Sequence, residues 1–197
     1  MPLPIVAIEA PELKGSLPDS AITDAGTSMM ADFVSTAIVE TLEAKPDPWR
    51  GSPFAPLRRL TSVQKSKVAR AILGQWFASV GVTVTVKTIV GNATLILPEN
   101  QLAVVKLSTR WEEGMYHFQQ LKDWDYQQAL LFGLSPQQAH LWIVPREEIM
   151  TRSVPQHGID SRMLTVSPAD PPAWLRQYGG TLDQAASILA QTLCQAA

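Results

Sequence analysis

The sequence predicts an α/β protein in which helices flank a mixed central sheet. Three observations predict this class. A helix-period segment at about 62–79 is followed by three short β-type runs at 82–86, 94–97 and 102–108. A second helical segment is expected at 115–126, followed by buried strands at 129–134 and 140–144. Because a meander is followed by a crossover, the sheet needs both antiparallel and parallel pairing.

The first 56 residues are predicted to form a separate region of arm, helix and linker. Residues 1–26 hold scattered prolines and polar residues, which is typical of an irregular arm. A helix is predicted at 28–44, because apolar residues recur there at intervals of three and four. This stripe contains Met30, Phe33, Val34, Ala37, Ile38 and Leu42. Four prolines within 46–57 indicate the linker, so the predicted core is 57–197.

Glycine and proline residues divide the predicted core into elements. Gly81 is placed to end the first helix, and Pro145 stops the last strand of the core. The turn at 98–101 leads into the strand at 102–108. Residues 151–179 are expected to be rich in loops, and Thr181 is expected to cap a final helix at about 182–195.

Composition fits one domain with an appendage. The chain has 197 residues, of which 46% are apolar, and a formal net charge of −2. Cys194 is the single cysteine, which excludes an internal disulfide. No apolar run approaches the ~18 residues of a membrane helix, and the N-terminus lacks the features of a signal peptide. The expectation is a cytoplasmic protein with no membrane association.

The near-neutral total hides a strong charge asymmetry. Residues 1–47 carry eight acids and two lysines, whereas residues 48–98 carry seven basic residues and no acid. The basic stretch predicts a surface for DNA or for an acidic protein. Its candidate nucleic-acid-binding residues are Arg58, Arg59, Lys65, Lys67 and Arg70. Packing of the acidic N-terminal part near the basic part is the alternative explanation.

Several short motifs occur in one order along the chain. They are Val105-Lys106-Leu107-Ser108-Thr109, Phe118-Gln119-Gln120-Leu121, Gly133-Leu134-Ser135-Pro136, Ala139-His140-Leu141-Trp142, Gln156-His157-Gly158 and Tyr178-Gly179-Gly180-Thr181. In this order they resemble bacterial restriction-endonuclease-like proteins of the PD-(D/E)xK superfamily. The resemblance runs from about 57 to 182, and it implies a restriction-endonuclease-like mixed sheet flanked by helices.

The chemistry implied by the resemblance is metal-dependent phosphodiester hydrolysis. Carboxylates hold a divalent metal, usually magnesium, and a lysine on the same strand helps to orient water. Lys106 matches that lysine, and Gln119 and Gln120 match glutamines that support the site from the following helix. The expected acids fall on Val104 and on the stretch from Asn92 to Thr94, where none is present. A helix glutamate is expected within 67–70, which is also free of acids.

The hypothesis favoured by these residues is that the chain is a catalytically inactive relative of nucleases and binds nucleic acid or a protein partner. Lys106 would then be a vestigial residue that meets a nearby acid or backbone carbonyl, or a phosphate contact. No metal or other cofactor is expected. Magnesium enters only under the alternative of an active DNA endonuclease with relocated carboxylates, for which Glu99, Glu112 and Glu113 are the nearest candidates.

A third hypothesis is that the chain is a structural subunit, whose helix at 28–44 packs on a partner protein or on a second copy of the chain in a homodimer. Among the histidines, His140 opens a buried strand and is expected to be a core residue. His157 lies in a predicted loop and is the other candidate for a functional role.

Overall fold

The computed structural model describes residues 29–30, 33–34, 47–89, 92–156 and 160–195. The chain divides into two compact units, Met1–Pro46 and Asp47–Ala197. The division therefore falls after Pro46 rather than at the predicted position 56. Trp49, which the sequence assigns to the linker, is 4% exposed and belongs to the core of the second unit.

The described residues of the first unit are helical, within the predicted helix at 28–44. Their side chains are exposed, although all four are apolar. They are Met29, Met30, Phe33 and Val34. The rest of this predicted helix, like the predicted arm, lies outside the described residues.

Nine strands lie within the described part of the second unit. They are β1 Thr85–Ile89, β2 Asn92–Ile96, β3 Leu102–Thr109, β4 Tyr116–Leu121, β5 Gln128–Leu134, β6 Ala139–Pro145, β7 Val154–Pro155, β8 Arg162–Val166 and β9 Gly179–Thr181. Six of them form a central sheet in the order β1-β2-β3-β5-β6-β9. β1, β2 and β3 form the predicted antiparallel meander, and β3 pairs in parallel with β5. The sheet is thus mixed, as the sequence predicts, and most of its strand pairs are antiparallel.

Five helices of the second unit accompany these strands in the described residues. They are α1 Ala55–Arg58, α2 Ser62–Ser79, α3 Arg146–Arg152, α4 Ala173–Arg176 and α5 Leu182–Gln195. α2 begins at a capping box in which Thr61 and Gln64 bind each other's backbone N–H groups, and it ends before Gly81 at a φ of +79°. α5 begins at a similar pair formed by Thr181 and Gln184. Both long helices are therefore confirmed where the sequence predicts them.

The predicted helix at 115–126 is wrong. Its residues form β4, which pairs with β8 in a second, three-stranded sheet of order β4-β8-β7. Tyr116 and Phe118 alternate inward as in a strand, but a bulge then shifts the next inward position to Leu121. A bulge adds one residue to the strand, so its apolar spacing becomes two and then three. That spacing imitates a helical stripe.

Hydrophobic layers pack on both faces of the central sheet at β3, β5 and β6. On one face α2 and α5 pack against alternate strand residues such as Val105 and Phe132. On the other face the small sheet packs on Val104 and Leu131 through Phe118 and Leu164. The region 151–179, predicted to be rich in loops, supplies much of this second layer through β8 and α4. No helix within the described residues is long and apolar enough to cross a membrane.

Candidate functional site

Three of the sequence motifs meet at Lys106. Its Nζ atom donates a hydrogen bond to the backbone carbonyl of Gln120 at 2.5 Å. The N–H of Gln120 donates to Oε1 of Gln156 at 2.8 Å, and the hydroxyl of Ser161 donates to the same oxygen at 2.9 Å. These four residues, the lysine site, connect β3 and β4 to the segment between β7 and β8. Of the site residues that the sequence predicts, the structure brings Lys106 and Gln120 together.

Gln120 is the residue at which β4 bulges. Its φ of +55° lies in the left-handed region, which is unfavourable for any residue with a side chain. Lys106 holds its carbonyl and Gln156 holds its N–H, so side chains satisfy both backbone groups that the bulge withdraws from the ladder. The side chains of Gln119 and Gln120 are exposed. The lysine site therefore fixes the backbone of the bulge through Lys106 and Gln156.

Lys106 is half-buried and lies on the sheet face that carries the small sheet. Burial, and then the positive charge of Lys122, lower the pKa of Lys106 to about 8. Its partner is the backbone carbonyl, one of the alternatives left open by the sequence. Among the ion pairs of the described residues, none joins Lys106 to a carboxylate. Lys106 is thus a cation in a partly desolvated place without a countercharge in the described part of the chain.

Two positions of the expected acids, Thr94 and Val104, lie side by side in the central sheet. Thr94 on β2 and Val104 on β3 are directly paired and are 0% and 1% exposed. The hydroxyl of Thr94 donates to the backbone carbonyl of Lys87 at 2.5 Å. Asn92 begins β2, and its side chain is outside the described set. Magnesium prefers carboxylate oxygens, so this donor set does not fit a magnesium ion.

Two of the relocated carboxylates considered for an active nuclease, Glu113 and Glu99, can be placed from their contacts and backbone. Glu113 binds Nε2 of His117 at 2.5 Å, and Nδ1 of His117 lies 3.0 Å from the hydroxyl of Thr165. The hydrogen bond between Glu113 and His117 lowers the pKa of Glu113. Glu99 lies in the turn before β3 at a φ of +60°. Within the described residues no group of three or more histidine, cysteine or acidic side chains is placed to hold a metal.

The candidate basic residues on α2 do not share one face. Lys67 is exposed, whereas Lys65 and Arg70 are half-buried on either side of the stripe that contains Ala69. At about 100° per residue, Lys67 points nearly opposite to Ala69. α2 also packs on the face of the central sheet that carries Val105, which is opposite to the face that carries Lys106.

The other two candidate residues, Arg58 and Arg59, lie before α2 and are exposed. Arg58 forms an ion pair with Asp47 at 3.2 Å and lies over the ring of Trp49, 5.5 Å from its centroid. Arg59 also lines the depression formed by these residues. The candidate basic residues therefore do not form one surface: Arg58 and Arg59 lie before α2, and the three on α2 point in different directions. None of them belongs to the lysine site.

His140 is a core residue, as predicted. It is 4% exposed, its Nδ1 atom lies 2.9 Å from the hydroxyl of Tyr116, and its ring stacks on Trp142. Burial lowers the pKa of His140. His157, the other candidate residue, lies outside the described residues.

Sequence reasoning missed the surroundings of Lys106 that come from distant positions in the chain. No sequence pattern relates Lys122 or Ser161 to Lys106. Gln156 is 36 positions from Gln120, so their contact also has no local sequence signal. The motif order indicated that Gln156 is distinctive, but not which atom it binds. No protein-family model matches the chain, and no curated protein is significantly similar to it in sequence.

Proposed function

We propose that this chain is a catalytically inactive restriction-endonuclease-like protein that binds a phosphate group of nucleic acid through Lys106. The order of helix, three-stranded meander and parallel fifth strand supports the restriction-endonuclease-like part of the proposal. Lys106 lies on the third strand of that meander, as the motif requires. The departure is the crossover between β3 and β5, which contains the strand β4 where a helix was expected.

The observation that carries the proposal is that the half-buried ammonium group of Lys106 binds a backbone carbonyl and no carboxylate of the described residues. A partly buried ammonium group with one backbone partner and a neighbouring lysine is less stable than the same group in water. A phosphate oxygen would accept an N–H that the carbonyl of Gln120 does not use, because an ammonium group has three donors. It would also offset the repulsion between Lys106 and Lys122. An anion is therefore the ligand that this site favours.

The residues at the neighbouring positions support binding without cleavage. Thr94 and Val104 supply no anionic oxygen, so nothing on β2 or β3 beside Lys106 activates a water molecule through a metal. Lys106 itself holds the backbone of the bulge and can contact a phosphate, but it has no carboxylate with which to share a catalytic role.

Salt-dependent binding of a fluorescent DNA duplex tests the proposal. The wild type should bind at ~50 mM salt, and each of Lys106→Met and Lys122→Met should reduce the slope of log affinity against log salt by about one unit. Lys67→Met is the matched control, because Lys67 is exposed on the opposite side of the sheet. No binding at low salt would reject nucleic acid as the ligand, and equal slopes for all four proteins would reject the lysine site as the place where it binds. Nicking of a plasmid with magnesium, lost in Lys106→Met, would reject the inactive assignment.

A second candidate function is assembly through the first unit, and exposed apolar side chains of its helix support it. Met29, Met30, Phe33 and Val34 are each about half exposed or more, although the last three belong to the predicted apolar stripe of this helix. A second copy of the chain is the proposed occupant, because residues 1–47 carry a charge of −6 and residues 48–98 carry +7. Light scattering should give a dimer that Phe33→Glu dissociates. A monomeric wild type would exclude this role.

A further inference from the structure

One edge of the central sheet is open along β1. The strand pairs with β2 and is the first in the sheet order, so its other side has no partner strand among the described residues. Thr85, Val86 and Lys87 are all exposed, and Val86 is 56% exposed. Successive residues of a strand point to opposite faces, so neither face of β1 is covered at these positions.

The free backbone groups of this edge can be assigned. The hydroxyl of Thr94 on β2 donates to the carbonyl of Lys87, so the carbonyl of Lys87 faces β2. In a strand the N–H and C=O of one residue point to the same side, and neighbouring residues alternate. Val86 and Thr88 therefore present their N–H and C=O groups at the open edge. Exposed groups of this kind are a template for one more strand.

We propose that β1 binds an extended acidic segment of a partner protein, which adds to the central sheet as a seventh strand. Val86 and Thr88 would supply the backbone hydrogen bonds, and an aspartate or glutamate of the partner would lie opposite Lys87. This position is a non-hydrogen-bonded pair, in which Cα atoms are only about 4.5 Å apart and side chains are closest.

Charge disfavours the β1 strand of a second copy of the chain as the occupant of this edge. Residues 48–98 contain no acid, so the surroundings of Lys87 in the sequence are uniformly basic or neutral. A copy of β1 that paired Val86 with Thr88 in antiparallel register would place Lys87 opposite Lys87, and like charges directly opposite each other are destabilising. The inference does not depend on the lysine site, because it concerns the edge strand and its backbone.

The test uses the full chain and two synthetic peptides. One is a seven-residue alternating Thr/Val peptide with a central glutamate, and the other has lysine in place of the glutamate. In amide NMR titrations the glutamate peptide should shift the Val86 and Thr88 resonances and bind about fivefold more tightly. Lys87→Glu should reverse this preference.

Val86→Pro is the backbone control. It removes an outward N–H, whereas the pairing of β1 with β2 uses the groups of the residues on either side. It should abolish peptide binding and leave the melting temperature nearly unchanged. Equal affinity for both peptides in wild type and Lys87→Glu, or shifts confined to other strands, would overturn the proposal. Concentration-dependent shifts at β1 without peptide would also overturn it, because a second copy would then occupy the edge.

Discussion

Replacing Lys106 by methionine should change how the stability of the protein depends on pH. Methionine keeps most of the apolar stem of lysine and removes the charge. The folded protein holds the pKa of Lys106 at about 8, against its ordinary value of 10.5. Between these two pH values the unfolded chain binds more protons than the folded chain, so stability rises with pH. The wild type should therefore gain stability from pH 7 to pH 10, and Lys106→Met should lack this gain.

The size of the effect follows from the lowered pKa. A shift from 10.5 to about 8 corresponds to a gain of at most about 2.5 kcal/mol between pH 7 and pH 10. Lys106 is only half-buried, so solvent screening reduces the expected gain to about 1–2 kcal/mol. Urea unfolding of both proteins at several pH values measures it, with Lys67→Met as a control for the loss of one exposed charge. Parallel curves for the wild type and Lys106→Met would refute the idea that Lys106 is a desolvated cation.

Two further predictions concern the core behind the lysine site. Gly133→Ala should destabilise the fold by about 1–3 kcal/mol, because the added Cβ atom would lie 2.5 Å from the buried ring of Tyr116; thermal unfolding measures this, and an unchanged melting temperature would contradict it. The stability of the wild type should fall as pH decreases below 6.5, because burial lowers the pKa of His140 and the unfolded chain then binds more protons. His140→Phe should have a shallower acid limb, and an equally steep one would assign the fall to other groups.

The sequence predicts the central sheet well because its strands are defined by local patterns. β5 and β6 are continuous apolar runs, and Gly81 and Pro145 mark ends that depend on backbone chemistry alone. The meander is correct in number and order, although β1 begins at Thr85 rather than at 82. A run of β-branched residues does not by itself say which of them pair with the next strand.

The candidate site could be predicted only in part. The sequence shows directly that Val104 and Thr94 are not acids, but their pairing on neighbouring strands is seen only in the structure. The bulge at Gln120 could not be predicted from the sequence. Its left-handed backbone is stabilised by the side chain of Lys106 on β3 and by that of Gln156, which follows β7. For the same reason the small sheet was missed, since β8 becomes a strand by pairing with β4.

The most direct test of the central claim is the pKa of Lys106 measured by NMR on the ¹³C-labelled ε-carbon of lysine, with and without a short DNA duplex and with a chelator present. If the ammonium group contacts a phosphate, the pKa should rise from about 8 towards the ordinary value of 10.5 when DNA is added, with no metal present. Lys106→Met assigns the resonance. A pKa of Lys106 that is unchanged at saturating DNA would contradict phosphate binding at this site.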